Sequence, residues 1–422
     1  MVEVWLPYGK TEVCARIPAR NFLGAIEVRE KPGVSSPRAE IERTLKEPLG
    51  TKPLGETVKR GNKVAIVVGD ETSPAPSFMM VPPILDELSL AGVRDDDVTV
   101  IFACGANRPV EPGEMEKLVG GEVLKRVATV SHNPGSEDQA YLGKTSLGTE
   151  VYVNRSFAEA DVRILTGAVA LHPFAGYGGG REGVLPGVSG ARTVQSTRRR
   201  CLDPGAEVGV LEGNPVHQDM VEAAKLARVD FALNVVTNSR REVVGAFAGD
   251  LEQVFREGVK LVDEMYKVSV ERRAEIVVVS PGGDPLDDSL CHAVQGVDHA
   301  LNAVKKGGVV VLVAECSGGY GPEVFYDWTA KFKGLKDMER ELKRRFASEG
   351  HTTYRLMRAL QKVRIILVSV MPDYYAVNTF NLRTARAVND ALREAFDLAG
   401  KKAKVWTMPQ GSFTLPTVQA SK

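Results

Sequence analysis

A glycine-rich segment between His172 and Gly187, HPFAGYGGGREGVLPG, carries several side chains suited to catalysis. His172 can transfer a proton near neutral pH, and Arg181 can bind an oxyanion through its guanidinium group. Glu182 adds a carboxylate, and the glycine run leaves backbone amides able to face an anion. The segment lacks the GK(S/T) ending of a P-loop and the spacing of a Rossmann fingerprint, so it fits neither motif. A flexible loop is the alternative, but a histidine, an arginine and a glutamate around three glycines favour a functional site.

Two shorter turns carry polar side chains that a ligand would need. The turn GDETSP contains Asp70, which together with backbone amides suits a ribose or a phosphate. The turn GANRP contains Arg108, which suits a carboxylate or a phosphate. The alternatives are a plain turn with an aspartate cap and a surface arginine, respectively.

A fourth segment, PGGDPLDD, precedes Cys291, His292 and Gln295. His292 and Gln295 are three residues apart, so they share one face of the helix predicted to follow this turn. The alternative is a histidine whose hydrogen bonds are satisfied at the start of that helix.

Short apolar runs precede these turns and alternate with helical patterns. Continuous rather than alternating apolar runs are typical of strands buried on both faces of a parallel sheet. The alternation predicts βαβ units and therefore an α/β fold with mainly parallel sheets. In such sheets ligands bind beyond the carboxyl ends of the strands, where the polar turns lie. The predicted strands are Val64–Val68, Val98–Ala103, Val162–Leu165, Phe231–Val236, Ile276–Val279, Val309–Ala314 and Val363–Val370.

Two helices begin at recognisable capping residues. Asn214 before Pro215 predicts an N-cap followed by a proline in the first turn. Asp250 and Gln253 resemble a capping box at the start of a second helix. That second helix carries an apolar stripe, formed by Leu251, Val254, Phe255, Val262 and Met265.

Composition and charge limit the classes of partner. Lysine plus arginine equal aspartate plus glutamate at 54 each, so neither nucleic acid nor an anionic membrane is expected as a partner. The five cysteines are scattered without a CxxC pair, which fits a reducing cytoplasm. The start MVEVWLPYGK does not read as a signal peptide, and no window approaches the roughly 18 apolar residues of a membrane span. We expect a cytoplasmic protein that binds a small anionic metabolite.

The charged run KVSVERRAE marks a domain boundary near Val270–Ala274. It predicts an N-terminal domain over residues 1–272 that binds a cofactor or anion, and a C-terminal α/β domain over residues 273–405. The tail, residues 406–422, is expected to return to the first domain. The oligomeric state stays open, with a homo-oligomer as one outcome.

Many ordered segments resemble the nickel-pincer-dependent lactate racemase family along nearly the whole chain. They are LPYGK, GDETSPAPS, GANRP, LGTEVYVNRSFAEADVRILTG, HPFAGYGGGREGVLPGVSG, GNPVHQDM, GAFAGD, GGDPLDDSLCHAVQG and GYGPEVFY. The resemblance implies two domains with the active site in the cleft between them. It also implies a nickel-pincer nucleotide, built from nicotinic acid adenine dinucleotide, that accepts a hydride from the α-carbon of a 2-hydroxy acid. Family members use two acid–base histidines, a nickel-ligating histidine and a lysine that tethers the cofactor.

This sequence retains one of these catalytic groups and has other residues at the positions that match the rest. One acid–base histidine matches His172, the second falls at Asn107, and the tethering lysine falls at Glu182. The nickel-ligating histidine falls at Arg198, whose protonated guanidinium offers no lone pair to a metal, so the metal is left unassigned. The positions expected to contact substrate are Ser73, Cys291, His292, Gln295 and His351.

Several expected cofactor contacts are retained or replaced by other polar groups. They are Asp70, Thr72, Asn107, Arg108, Gly178, Gly179, Gly180, Arg181 and Arg198. New polar groups such as Glu182 and His292 favour a changed ligand over an inactive scaffold.

Three functions remain open on the sequence. The first is a racemase or epimerase of a 2-hydroxy acid or sugar acid, with His172 and either Glu182 or His292 as acid–base groups and Cys201 as an alternative soft metal ligand. The second is a nickel-independent enzyme for a phosphorylated or carboxylate metabolite, held by Arg181 and a basic cluster that includes Arg198. The third is a binding protein that performs no chemistry.

Overall fold

The protein is described here by a computed structural model covering residues 1–419. The chain forms two compact units. We call Glu30–Glu264 the N-terminal unit; the C-terminal unit combines Met1–Arg29 with the chain from Met265 onward. No helix within residues 1–419 is long and apolar enough to cross a membrane.

A six-stranded sheet forms the centre of the N-terminal unit. All its neighbouring strands pair in parallel except the last two at one edge, Phe231–Thr237 and Val243–Gly249, which are antiparallel. Apolar side chains cover both faces, as expected for a sheet whose strands are apolar throughout. The strands, in spatial order, are Val243–Gly249, Phe231–Thr237, Val162–Ala168, Val64–Gly69, Val98–Ala103 and Ala128–Ser131.

Helices and two small hairpins surround this sheet. The hairpins pair Gln139–Lys144 with Glu150–Asn154, and Leu171–His172 with Gly176–Tyr177. The α-helices are Pro37–Lys46, Leu54–Thr57, Ser77–Leu90, Pro112–Val119, Gly121–Arg126, Arg155–Glu159, Ala191–Arg198, Pro215–Leu226 and Leu251–Tyr266. The 3-10 turns are Asp95–Asp97, Gly180–Gly183 and Arg199–Leu202.

The C-terminal unit contains a second six-stranded sheet, in which all strands are parallel. Its faces are also covered by two apolar clusters. The strands, in spatial order, are Arg383–Ala385, Arg364–Val368, Val304–Val313, Ala274–Val279, Val405–Met408 and Phe22–Ala25. Further pairs join Val2–Tyr8 to Thr11–Ile17 and Lys267–Val270 to Leu415–Val418. The helices are Leu290–Ala300, Glu323–Lys331, Leu335–Arg344, Ser348–Leu360, the π-helix Tyr375–Thr379, and Val388–Ala399.

The seven predicted strands are all present, with ends shifted by a few residues. The Asn214 N-cap is confirmed, because its Oδ1 accepts hydrogen bonds from the backbone N–H groups of Val216 (3.0 Å) and His217 (3.1 Å). At the second predicted helix, Asp250 Oδ1 accepts from Gln253 N at 3.0 Å, which is one half of a capping box.

The compact units divide the chain differently from the predicted domains, 1–272 and 273–405 with a returning tail. Phe22–Ala25 pairs with Val405–Met408 inside the C-terminal sheet, so the first residues of the chain belong to that unit. Leu415–Val418 pairs with Lys267–Val270, so the tail also lies in the C-terminal unit rather than the first. The physical reason is strand pairing between segments far apart in the chain, since Phe22 pairs with Val405 and Lys267 pairs with Leu415.

Candidate active site

A cavity of about 340 Å³ lies where three parallel strands of the N-terminal unit end. The strands Val64–Gly69, Val98–Ala103 and Val162–Ala168 end at its wall, the position where ligands bind in parallel α/β sheets. Its polar lining comes from the first three motifs singled out in the sequence, together with Arg198 from a later helix. The residues concerned are Asp70, Thr72, Ser73, Asn107, His172, Gly178, Gly179, Gly180, Glu182 and Arg198.

His172 is held in a defined orientation by the short hairpin that contains it. Its Nδ1 accepts hydrogen bonds from the backbone N–H groups of Phe174 (3.3 Å) and Ala175 (3.0 Å). Because Nδ1 acts as an acceptor, the neutral ring carries its proton on Nε2. The Phe174 ring meets the imidazole edge-to-face with centroids 4.5 Å apart, which fixes the ring plane. In this form the ring donates a hydrogen bond from Nε2.

Glu182 lies beside His172, on the 3-10 turn Gly180–Gly183. Its Oε1 is 3.8 Å from His172 Nε2, and its Oε2 accepts a hydrogen bond from Gly179 N at 2.7 Å. Burial raises the pKa of the Glu182 carboxyl above its ordinary value, against the opposing effects of Arg181, the Gly179 N–H and Arg198. A carboxyl group with a raised pKa gains and loses its proton closer to neutral pH than an ordinary carboxyl group, which suits it to acid–base chemistry.

The glycine run brings the backbone close to the end of the strand Val162–Ala168. Gly179 and Gly180 have φ angles of +102° and +48°, which glycine adopts without strain. A Cβ on Gly179 would lie 2.8 Å from the Ala168 carbonyl oxygen, so a larger residue would push the loop away. Asn234 Oδ1 accepts a hydrogen bond from Gly180 N at 3.0 Å and fixes the loop from beneath.

Asp70 joins two of the loops at the cavity. Its Oδ1 accepts from Thr72 N (3.0 Å) and Thr72 Oγ1 (2.6 Å), while its Oδ2 accepts from Asn107 Nδ2 at 3.0 Å. Asn107 thus cross-links the loop after Val64–Gly69 to the loop after Val98–Ala103. An amide cannot exchange a proton as an imidazole does, so Asn107 serves in binding and positioning rather than proton transfer.

Arg198 contributes a cation to the cavity from the end of the helix Ala191–Arg198. Buried Asp219 anchors this helix, because its carboxylate accepts hydrogen bonds from Thr145 (2.6 Å), Thr149 (2.7 Å) and Thr197 (2.5 Å). Thr197 precedes Arg198 directly, so these bonds fix the place from which the guanidinium extends.

Sequence reasoning missed Asp219 and Asn234. A polar residue within the apolar strand FALNVVT was the available signal for Asn234. Asp219 lies in the quoted segment GNPVHQDM but carries no local sign of being buried.

Two family models match this chain: the lactate racemase N-terminal domain over residues 8–209 and the lactate racemase C-terminal domain over residues 269–414. The lactate racemase of Thermoanaerobacterium thermosaccharolyticum is 31% identical, covering 97% of this chain and 98% of its own length. The lactate racemase of Lactiplantibacillus plantarum is 29% identical, covering 97% and 99%. This chain belongs to the lactate racemase family.

Solved structures agree with that membership. The lactate racemase apoprotein of T. thermosaccharolyticum matches with a TM-score of 0.89 at 30% identity, covering 99% of this chain and all of that one. A Thermotoga maritima protein matches with a TM-score of 0.64 at 16% identity over 90% of this chain, which shows a shared fold. The predicted α/β fold with two domains and mainly parallel sheets is confirmed.

Two arginines expected to contact the ligand, Arg181 and Arg108, do not line the His172 cavity. Arg181 lies outside the lining of the His172 cavity, and its guanidinium donates to the carbonyls of Tyr177 (2.8 Å) and Gly179 (3.3 Å). Arg108 forms a two-pronged ion pair with Glu114 in a depression that adjoins the His172 cavity and shares Asp70, Thr72 and Asn107 with it. The sequence does not reveal these partners, which bind both guanidinium groups within the protein.

The residues expected to contact substrate from the second domain occupy the C-terminal unit. Cys291 is buried, and burial raises the pKa of its thiol to about 12. His292 is exposed and its Nδ1 lies 2.6 Å from Asp288 Oδ1. Gln295 donates its amide to the Ser412 carbonyl at 3.0 Å, and His351 is buried against Phe346 and Tyr354. Of these, His292 with Asp288 has the chemistry of an acid–base group.

The side chains at and around Arg198, the position that matches the family's nickel-ligating histidine, do not suit nickel. Within residues 1–419 no group of three histidine, cysteine or carboxylate side chains is placed to hold a metal ion. Arg198 occupies the expected ligand position, and its guanidinium has no lone pair to donate. Cys201, the alternative soft ligand, is buried and does not line the His172 cavity.

Proposed function

We propose that this chain is an isomerase of the lactate racemase family, a racemase or epimerase that acts on a small 2-hydroxy acid or sugar acid in the His172 cavity. The observation that carries the proposal is the 3.8 Å approach of His172 Nε2 to Glu182 Oε1 in a cavity that Arg198 also lines. Named relatives across the full length of the chain are lactate racemases. A carboxylate substrate requires a cation, and an acid–base reaction at its α-carbon requires a proton carrier.

Each group has a distinct role in this proposal. Arg198 binds the substrate carboxylate, because guanidinium matches a carboxylate in shape and charge. Glu182 takes the proton from the α-carbon, and the electron pair of the broken C–H bond moves into the carboxylate group held by Arg198, which gives a planar enediolate. The Nε2–H of His172 stabilises the enediolate, and return of the proton from Glu182 to the opposite face gives the other stereoisomer. Asp70, Thr72, Ser73 and Asn107 orient the rest of the bound molecule.

The nickel-pincer nucleotide that the family resemblance implies is not used in this proposal. Arg198 at the expected nickel ligand and Glu182 at the expected lysine tether both disagree with it. These replacements also support a second candidate: a nickel-independent enzyme, or a binding protein, for a phosphorylated or carboxylate metabolite. In that candidate Arg198 remains the anion-binding group, and Glu182 and His172 contact the ligand.

The deciding experiment incubates the purified protein with single enantiomers of lactate and of larger 2-hydroxy acids in deuterated water. Chiral chromatography would detect the opposite enantiomer, and mass spectrometry would show whether the α-carbon gained deuterium. Deuterium there means that the α-hydrogen left as a proton, whereas retained hydrogen means that it moved without exchange. We expect conversion of at least one substrate, lost in His172→Ala.

A matched pair of variants separates the roles of the arginines. Arg198→Gln should raise KM at least tenfold by removing the carboxylate partner, while Arg199→Gln, an exposed neighbour, should leave it unchanged. Metal analysis and mass spectrometry of small molecules released from the protein complete the test. A ligand recovered unaltered, with no turnover of any substrate, would replace the isomerase proposal by the binding-protein candidate.

A further inference from the structure

A second cavity of about 290 Å³ in the N-terminal unit shares no lining residue with the His172 cavity. It lies between the helices Pro215–Leu226 and Leu251–Tyr266, next to Arg181. Its apolar lining is formed by Val221, Ala224, Val229, Leu251 and Phe255. Apolar walls with a few polar groups are the usual composition of a small-molecule site.

Arg181 is a buried charge at this cavity, only 1% exposed. Its guanidinium carbon lies 3.9 Å from the centroid of the Phe255 ring, and its terminal nitrogens donate to backbone carbonyls. Its Nε–H, however, has no hydrogen-bond partner within residues 1–419. A buried donor without an acceptor is costly, so an acceptor supplied by a ligand would stabilise this arrangement.

His217 presents a second unmatched atom at the same cavity. Its ring stacks on the ring of Phe255, with centroids 5.7 Å apart and planes 20° from parallel. Its Nδ1 is buried and has no hydrogen-bond partner among the described residues. Burial, together with the charges of Arg181 and Arg256, lowers the pKa of His217 to about 3, so the ring is neutral at physiological pH. A neutral imidazole nitrogen can accept or donate one hydrogen bond to a ligand.

Charges around the cavity favour an anion. Lys225 pairs with Glu252 at 3.8 Å, and Arg256 pairs with Glu252 at 3.2 Å and with Glu212 at 3.0 Å. Arg228 is exposed, and no ion pair joins it to another residue of the described chain. The lining therefore carries more cationic side chains than carboxylates, because Asp250 and Glu252 face the cations Arg181, Lys225, Arg228 and Arg256.

We infer that this cavity is a second ligand site, which binds a small carboxylate with a compact apolar body. The two unmatched atoms, Arg181 Nε and His217 Nδ1, lie on side chains that both contact Phe255, and two carboxylate oxygens would satisfy them. The apolar body contacts Val221 and its neighbours in the lining. Phosphate fits less well, because a dianion needs more donors and gains nothing from the apolar walls.

Benzoate is the probe for this site, with benzyl alcohol and inorganic phosphate as comparisons. Isothermal titration calorimetry on the full chain should show saturable, one-to-one binding of benzoate. Benzyl alcohol, which keeps the ring but lacks the charge, should bind at least tenfold more weakly, and phosphate should bind more weakly than benzoate. Absence of saturable benzoate binding, or equal affinity for benzyl alcohol, would overturn the inference.

Variants of this cavity test whether benzoate binds in it. Val221→Phe should fill the cavity and abolish binding, and His217→Phe should weaken it at least tenfold while keeping a ring against Phe255. Arg192→Gln, an exposed arginine outside both cavities, is the matched control and should not change the affinity. Thermal melts identify any variant that fails to fold. Binding that survives Val221→Phe and His217→Phe but disappears in His172→Ala belongs to the first cavity and contradicts the inference.

Discussion

At the residue scale, the raised pKa of Glu182 links stability to function. A carboxyl whose pKa is higher in the folded state binds more protons there than in the unfolded state, so its contribution to stability falls as pH rises above the ordinary carboxyl pKa of about 4.3. Glu182→Gln removes the titrating group but keeps the size of the side chain. We therefore expect the variant to melt higher than the wild-type protein at pH 7, with a difference that shrinks toward pH 4.

The same variant should lose activity, because an amide cannot take the proton from the α-carbon of the substrate. Removal of a general acid–base group lowers kcat by about 10²–10⁴-fold. Glu182→Asp is the control, since it keeps a carboxyl and should retain part of the rate. Thermal melts and kcat measured across pH 4 to 8 provide the check. An active Glu182→Gln protein would remove Glu182 from the catalytic pair.

Arg198 offers a second prediction at this scale, concerning nickel. Arg198→His would place an imidazole in the cavity that already contains His172 and Glu182, which gives three side chains with metal-ligating atoms. We expect this variant to bind Ni²⁺ at least tenfold more tightly than the wild-type protein. Titration followed by absorbance and calorimetry would measure the affinity. Arg198→Gln, which removes the charge without adding a ligand, is the control; equal affinities in all three proteins would show that Arg198 does not determine metal binding.

At the scale of elements, Asp219 links the helix Ala191–Arg198 to the hairpin around Thr145 and Thr149. Asp219→Ala leaves the hydroxyls of these threonines and of Thr197 without their acceptor, in a place water does not reach. At about 1 kcal/mol or more for each lost partner, we expect a loss of about 3 kcal/mol in the free energy of unfolding. Substrate affinity should also fall, because Arg198 follows Thr197.

Urea denaturation and KM measurements test this prediction. Glu222→Gln is a suitable control. Glu222 lies one turn beyond Asp219 on the helix Pro215–Leu226, and its hydrogen bonds to Ser146 are exposed to solvent. That variant should change the unfolding free energy by less than about 1 kcal/mol. If Asp219→Ala were as stable as the control, Asp219 would not anchor the helix Ala191–Arg198.

The strands were largely predictable because burial on both faces of a sheet requires a continuous run of apolar residues in the sequence. Continuous apolar runs such as Val64–Val68 predicted the strands, and the glycine run between His172 and Arg181 predicted the main cavity loop. The sequence does not show which strands pair with each other. Phe22–Ala25 is short, and its neighbour in the sheet is the distant strand Val405–Met408. For the same reason the sequence could not show that Arg181 and Glu182, adjacent in the chain, line different cavities.

At the scale of the whole molecule, each unit has its own sheet covered on both faces by apolar clusters. Multidomain chains of this kind commonly unfold in more than one step. The three tryptophans, Trp5, Trp328 and Trp406, all lie in the C-terminal unit. Intrinsic tryptophan fluorescence therefore reports on that unit alone, while far-ultraviolet circular dichroism reports on both.

Asp298 is the residue whose change should act on the C-terminal unit only. Burial would raise the pKa of its carboxyl, but Arg355 at 2.8 Å and Arg358 at 3.6 Å outweigh burial and lower the pKa to about 2. A carboxyl with a lowered folded-state pKa stabilises the fold above its ordinary pKa of about 3.9, and this contribution is lost as pH falls through about 2. Asp298→Asn removes it and leaves Arg355 buried without its counter-charge.

We expect Asp298→Asn to lower the unfolding free energy of the C-terminal unit by about 3 kcal/mol at pH 7, the scale of a broken buried ion pair. Urea titrations should show the fluorescence midpoint moving to lower urea. In Asp219→Ala the fluorescence midpoint should stay in place, while part of the circular dichroism change moves. The two substitutions are matched, since each removes a buried carboxylate from one unit. If both substitutions moved the fluorescence and dichroism midpoints together, the chain would unfold as one cooperative body, and the separation of its two cores would have no thermodynamic consequence.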